Sequence, residues 1–292
     1  MTLFYPDISS AQAGMDLAGA LAVAVKATEG TSYVNPDYAR AKANATTHGT
    51  YFTAYHFLHA GGGSAQAAHA HQVAGRTPLM IDVEAEGASR PGTADVVEFI
   101  DAYRKAGGVT HLCYLPHWYW QSIGSPSLKP LADRGMVLVS SAYTTYTDAA
   151  GGTGWQGYGG MTPQVWQYTD RLHLNGHDVD FNAFRGSHGG DQSGAAVAAT
   201  LAEFRSVAET GKMPATPPPP APAGPAHPVA RSASGKESLR HAVHREGTPV
   251  QRALWLMARD PDRDKFGDLQ RAYLGAGNWD AIMPRGMVYW VG

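Results

Sequence analysis

A chain of 292 residues is about twice the common domain size, so one large domain or two ordinary ones fit it. Its longest nearly unbroken apolar stretch, Ala18 to Val25, spans about eight residues where a membrane helix needs roughly twenty, which excludes a transmembrane protein. A single cysteine, Cys113, excludes an internal disulfide framework or a zinc site of several thiolates, and a net charge of −2 argues against a generally basic nucleic-acid binder.

The chain opens on Met1-Thr2-Leu3-Phe4-Tyr5-Pro6-Asp7, which has neither the basic start nor the long apolar run of a signal peptide. Short apolar runs then recur between Gly- or Pro-marked loops. Leu3–Ile8, Leu21–Ala27, Tyr51–Leu58, Leu79–Val83, His111–Leu115, Met136–Ser140, Gln164–Tyr168 and Asp178–Phe181 are expected to be strands. Helical patterns stand between the early ones, at Pro36–His48, Ser64–Ala74 and Thr93–Ala106, the last with Val96, Val97, Ile100 and Tyr103 on one side. Strands alternating with helices imply a parallel sheet, and eight of them a closed α/β barrel of the TIM type. The connections after strands five to seven are short of helix, so the barrel is expected to be irregular.

Beyond the eighth strand, Gly194 to Thr210 carries Ala199, Leu201, Phe204 and Val207 near the helical period. The run from Pro214 to Pro225 is rich in proline, which fixes φ and donates no hydrogen bond, and it is expected to be an extended spacer. The expected organisation is a catalytic barrel over residues 1–187, a helix and proline-rich linker over 188–235, and a small domain over 236–292. Charge divides unevenly: residues 1–190 hold 11 Lys+Arg against 15 Asp+Glu, and residues 229–292 hold 10 against 7. The basic tail ends in a strand-like Met287-Val288-Tyr289-Trp290-Val291, and its two ends resemble a LysM module.

In a barrel of this kind the chemistry sits at the C-terminal ends of the strands. Asp7, Asp82, Glu84 and Asp180 all fall near such ends. Asp82 and Glu84 are two apart on one strand, so they share a face with Cα atoms about 6.5–7 Å apart. Two carboxyls so placed repel unless one keeps its proton. One protonated donor beside an ionised partner is the equipment for cleaving a glycosidic bond near neutral pH. Tyr55, Phe57, Tyr114, Trp118, Tyr143, Trp166 and Tyr168 stand at other strand ends, where flat rings can stack on sugars.

Six segments carry a family resemblance in order: Tyr5-Pro6-Asp7-Ile8-Ser9-Ser10, Val25-Lys26-Ala27-Thr28-Glu29-Gly30, Ala54-Tyr55-His56-Phe57, Ile81-Asp82-Val83-Glu84, Val165-Trp166-Gln167-Tyr168 and Val179-Asp180-Phe181-Asn182. Together they resemble the motif series of glycoside hydrolase family 25, the lysozymes typified by fungal and phage muramidases. The resemblance implies an irregular β/α barrel that cleaves the β-1,4 bond between N-acetylmuramic acid and N-acetylglucosamine in bacterial peptidoglycan. It implies that Glu84 is the proton donor and that Asp82 stabilises the reacting sugar by orienting its 2-acetamido group. Asp7 and Asp180 then complete an acidic floor. Tyr55, Tyr114, Trp118, Trp166 and Tyr168 are the expected substrate contacts. Two motifs depart from the family: no Trp follows Ser9 and Ser10, and the fifth strand continues as Cys113-Tyr114-Leu115-Pro116-His117-Trp118.

Other signals are set aside. His69 and His71 lie two apart in a helical segment, unlike the i, i+4 pair of a zinc helix, so no metal and no cofactor is expected. His56 is expected to orient a barrel carboxylate or fill polar core. Gly61-Gly62-Gly63-Ser64 lacks the Lys of a P-loop, and Ser64 is expected to cap the next helix. Cys113 sits mid-strand as a small buried hydrophobe. In the tail, Arg259, Arg263 and Lys265 alternate with Asp260, Asp262 and Asp264, so anionic wall polymers suit it better than nucleic acid. With no leader recognised, the expected setting is a phage endolysin made in the host cytoplasm and acting on the wall after release. The alternatives are a secreted bacterial autolysin of the same activity, a non-catalytic wall-binding protein on a decayed barrel, or another sugar hydrolase such as a chitinase.

Overall fold

All eight expected strands form. The structure is a computed structural model describing residues 2–147, 149, 151–187 and 194–214, with 229–232, 236, 238, 239, 242, 283 and 288–291 in the C-terminal region. In chain order the elements are β1 (Thr2–Ile8), β2 (Ala22–Glu29), β3 (Tyr33–Val34), α1 (Tyr38–His48), β4 (Tyr51–Phe57), α2 (Gly63–Ala74), β5 (Leu79–Asp82) and α3 (Thr93–Lys105). They continue with β6 (Thr110–Tyr114), α4 (His117–Ser122), α5 (Lys129–Ala132), β7 (Val137–Ser141), β8 (Val165–Leu174), β9 (His177–Arg185) and α6 (Gly194–Thr210). Two further strands, β10 (Val229–Ser232) and β11 (Val288–Val291), pair with each other antiparallel. Most of the proline spacer and of the expected tail domain lies outside the described residues. Among the described residues no helix is long and apolar enough to cross a membrane.

Strands β1, β2, β4, β5, β6, β7, β8 and β9 follow one another around the barrel, and β9 closes it onto β1. The short β3 hangs on the outer end of β2. The sheet is not wholly parallel as expected, because β9 runs antiparallel to both β8 and β1. The cause is local. Asn175 and Gly176, at φ 49° and 84°, join β8 to β9 as a two-residue hairpin, whereas a parallel partner needs a crossover of about a dozen residues.

Helices α1, α2 and α3 cover the outside of the first half of the barrel. In α3 the residues Val96, Phe99, Ile100 and Tyr103 are buried, the i, i+3, i+4, i+7 pattern of one helical face. Phe99 rather than Val97 is the fourth member of that stripe. The N-terminus of α3 is closed by Asp95, whose carboxylate accepts from the Gly92 N–H at 2.7 Å. Among the described residues only the short α4 and α5 follow β6, and only a single 3-10 turn at Thr153–Trp155 follows β7, so the second half is the irregular one. Helix α2 begins with Gly62 as its cap residue, and the Ser64 N–H bonds to Glu98 at 3.0 Å instead of the serine capping the helix.

Alternation along the strands sorts the side chains. Leu3, Tyr5, Ala22, Ala24, Met80, Leu112, Val137, Val139, Val165 and Phe184 form one cluster inside the barrel. Ile8, Val23, Val25, Ile81, Val83, Cys113, Leu115 and Leu138 point outward into a second cluster beneath the helices. Helix α6 contributes Phe204, Val207 and Ala208 to the inner cluster. Since Leu3, Ala22 and Met80 lie toward the strand starts, α6 stops the end of the barrel opposite the carboxyl ends.

Candidate active site

Continuing the inward parity past the apolar layer gives a polar one. On β1 the inward series Leu3, Tyr5 leads to Asp7, and on β2 Ala22, Ala24 leads to Lys26. On β5 Met80 leads to Asp82, and the same parity continued past the strand end gives Glu84. From the other direction, Phe184 on β9 leads through Asn182 to Asp180, and because β9 is reversed this brings Asp180 to the same mouth. Asp7 and Asp180 are direct cross-strand partners, and Asp82 stands in register with Phe57 and Tyr114 on either side. The structure therefore brings together all four expected carboxyls.

Their surroundings set their protonation. Asp7 and Asp82 are each 7% exposed. Burial raises the pKa of Asp7 well above the usual carboxylate range, and the neighbouring Asp180 adds to it. Asp82 is raised by burial and then by Glu84, with Lys26 opposing. Glu84 is pushed up to about 7, chiefly by burial and then by Asp180, again against Lys26. Asp180 goes to about 6 through burial, with Asp170 contributing. Four acids in one mouth cannot all ionise near neutral pH, so the ring holds at least one mobile proton. One oxygen of Asp82, Oδ1, is buried without a hydrogen-bond partner. A buried acceptor left unfilled by the protein is a place for a donor from a ligand.

Four further residues complete the layer; of these the sequence assigns no role to Gln167, Asn182 and Lys26, and names Tyr143 only among the strand-end rings. Gln167 on β8 donates through Nε2 to Asp7 Oδ2 at 3.3 Å, and its Oε1 accepts from Tyr114 Oη at 2.9 Å and Tyr143 Oη at 2.8 Å. Asn182 is buried beside Asp7. Lys26 pairs with Glu29, and its ammonium lies 4.8 Å from the centre of the Phe57 ring. Tyr143 is half exposed at the rim.

The expected aromatic contacts divide. Tyr55 and Tyr114 face the barrel interior next to the carboxyls. Trp118, on α4, is 53% exposed. Trp166 is completely buried on the outer face of β8, packed with Trp155 and Ala183, and donates its indole N–H to the Ala142 carbonyl at 2.8 Å. It has no ring face left for a sugar, which corrects its expected role. Tyr168 shares that outward parity and packs with Phe4, Tyr146 and Phe181, so it too belongs to the wall's support.

His56 also turns outward. It is fully buried, stacks on Phe99 at 4.8 Å between ring centres, and bonds Thr28 Oγ1 at 2.8 Å and Gln66 Oε1 at 3.3 Å. Burial lowers its pKa to about 3, so it is a neutral core histidine and orients no carboxylate. Nearby, His59 Nε2 lies 3.2 Å from Glu29 and 3.1 Å from Glu86. Among the described residues these are the one trio whose ligand atoms lie within 4.8 Å of one another, and Lys26 already supplies positive charge to Glu29.

Comparison with known proteins gives this mouth a relation. Residues 7–177 match the model of the family described as Glycosyl hydrolases family 25. An N,O-diacetylmuramidase from Chalaropsis sp. is 32% identical over 202 residues, which covers 60% of this chain and 92% of that protein. Two solved structures share the fold. A bacterial lysozyme from Streptomyces coelicolor superposes with a TM-score of 0.53 at 21% identity, over 68% of this chain and 95% of the other. A family GH25 lysozyme from Aspergillus fumigatus gives 0.51 at 22% identity, over 64% and 96%. With more than half of the chain matched by the family model, and its barrel mouth lined by the four carboxyls, the chain belongs to glycosyl hydrolases family 25.

Proposed function

We propose that the chain is a muramidase, a lysozyme that hydrolyses the β-1,4 bond between N-acetylmuramic acid and N-acetylglucosamine in bacterial peptidoglycan. The observation that carries this is the pairing of Glu84, whose proton is held to about pH 7, with Asp82, whose buried Oδ1 has no protein partner. Glu84 delivers its proton to the glycosidic oxygen as the C1–O bond breaks. Asp82 Oδ1 accepts the N–H of the 2-acetamido group and turns that group's carbonyl oxygen toward C1, where it closes a ring and spreads the positive charge. Water then opens the ring at C1, giving up its proton to the Glu84 carboxylate and restoring the starting enzyme. Asp7 and Asp180 line the floor, Tyr55 and Tyr114 stand buried beside the carboxyls, and the exposed Trp118 is the aromatic surface offered to sugar.

Digestion of purified walls with mass analysis of the products tests this reading. Muropeptides with N-acetylmuramic acid at the reducing end are expected. Intact walls would leave a binding protein on an inactive barrel, and cleavage of chitin without cleavage of walls would make the enzyme a chitinase.

For its setting we propose a phage endolysin whose proline spacer and basic tail hold the barrel near anionic wall polymers. The division of charge supports the tail's role: residues 229–292 carry 10 Lys+Arg against 7 Asp+Glu, the reverse of the barrel's balance. A chain ending at residue 213 is expected to hydrolyse soluble glycan fragments at the full rate but to pellet several-fold less with whole walls at low salt. Equal pelleting would remove the targeting role.

A further inference from the structure

Gln167 sits where its amide can take only one useful direction. It is 4% exposed, on the inward face of β8, between the buried Asp7 carboxyl and two tyrosine hydroxyls. We infer that Gln167 is a positioning residue: with its oxygen held by Tyr114 and Tyr143, it presents an N–H to Asp7, favours the acceptor form of that carboxyl against its acidic neighbours, and so biases the mobile proton of the acidic ring toward Glu84.

The inference rests on the muramidase reading of the site and deepens it. A primary amide has one acceptor end and one donor end. Turned the other way, Gln167 would set its carbonyl oxygen against Asp7, which is tolerable only if Asp7 carries a proton to donate. The two orientations of the amide are thus tied to two protonation states of Asp7, and the tyrosines choose between them. Both remain donors across the working range, since burial raises the Tyr114 hydroxyl well above its ordinary value and pushes Tyr143 up to about 12.

Everything else around Asp7 bears on the same balance. Asp180 from β9 and Glu84 from the β5 end favour its protonation, and Asp7 in turn favours protonation of Asp82. Asn182 on β9 and Gln167 on β8 act against protonation. Tyr5 on its own strand and Tyr55 on β4 are buried neutral phenols. Lys26 on β2 acts on Asp82 and Glu84. Gln167 is the member of this shell whose direction is fixed from behind by two hydroxyls. Tyr143 also stands half exposed at the rim, so the lock reaches the wall of the groove.

The test is a pH–rate profile on soluble peptidoglycan strands for Gln167→Met, which keeps the volume and removes the donor. The acidic limb marks protonation of the carboxylates that must stay ionised, so loss of the donor is expected to move it to higher pH, by half a unit or more. The maximal kcat is expected to fall about tenfold or more, as for a misplaced catalytic group, with KM within about threefold of the parent. Tyr143→Phe removes one of the two locks at an exposed position and is expected to shift the same limb in the same direction by less. An unshifted limb in a folded Gln167→Met protein overturns the inference, as does a loss confined to KM. Should Gln167→Met fail to fold, the Tyr143→Phe profile decides alone, an unshifted limb again overturning it. A Glu84→Gln variant run alongside separates the failures: if it stays active the muramidase mechanism falls, and if it is dead while both profiles are unshifted only the role of Gln167 does.

Discussion

Glu84→Gln is expected to abolish release of reducing sugar from purified cell walls, a loss of about 10²–10⁴-fold, the range that general-acid catalysis supplies. The amide keeps the shape of the side chain and still donates N–H hydrogen bonds, but it has no acidic proton to give the leaving oxygen. Folding is expected to be unharmed, because the side chain is only partly buried and its charge is already disfavoured there: burial and Asp180 push its pKa to about 7. The same value sets the direction of the pH dependence. The donor must be protonated, so activity of the parent enzyme falls as pH rises through about 7 and beyond, while any residue of activity in Glu84→Gln is flat on that side. Asp82→Asn is expected to be severely impaired and Asp180→Asn less so, since the first alters the group aimed at the substrate and the second only its neighbour. Near-normal turnover by folded Glu84→Gln, read as reducing sugar and by circular dichroism, would sink the assignment of the acid.

How far the sequence reaches is shown by β5 and β8. Leu79-Met80-Ile81-Asp82-Val83-Glu84 is legible because two carboxyls interrupt an apolar run with the same parity, and a strand covered on both faces tolerates charge only where it meets a mouth. Val165-Trp166-Gln167-Tyr168 reads the other way. Its large apolar residues look like groove and its amide like surface, yet the amide faces in and the two rings face out. In a barrel sheathed by helices and loops both faces are apolar, so alternation alone does not say which side is inside. A usable signal lay in Gln167 itself: an amide amid apolar residues needs polar company, and the carboxyls were the company available. Likewise the reversed β9 was written in Asn175-Gly176, a dipeptide suited to the two positive φ values of a tight hairpin. The expectation of a parallel sheet masked it. The seat of α6 was not legible, because an amphipathic stripe shows that a helix is covered and not by what.

That seat leads to the largest effect expected on stability. Phe204→Ala is expected to cost about 3–5 kcal/mol, the range for removing a fully buried phenylalanine. Its ring is 0% exposed and lies 4.7 Å from Tyr5, 5.3 Å from Phe184 and 5.9 Å from Tyr51 between ring centres. Around it the inward residues of β2 are alanines, Ala22 and Ala24, too short to close over the space an alanine at 204 would leave. The helix is also tied to the end of β9. Glu203, 1% exposed, accepts from the Ser187 N–H at 2.9 Å, and the carboxylate comes so near Gly186 that a Cβ there would stand 2.5 Å from it. Since Phe204 packs at the end of the barrel away from Asp7, Asp82, Glu84 and Asp180, the folded fraction is expected to keep its kcat. Urea denaturation checks the first expectation through a lower midpoint at unchanged slope, and turnover per folded molecule checks the second. Because α6 packs into the inner cluster, we propose that the barrel unit extends to Thr210 and not only to residue 187: a chain cut at 187 is expected to lose cooperative unfolding, whereas one cut at 213 keeps it. A stable, cooperatively unfolding 1–187 fragment, or a Phe204→Ala protein as resistant to urea as its parent, would show that α6 rests on the barrel without closing it.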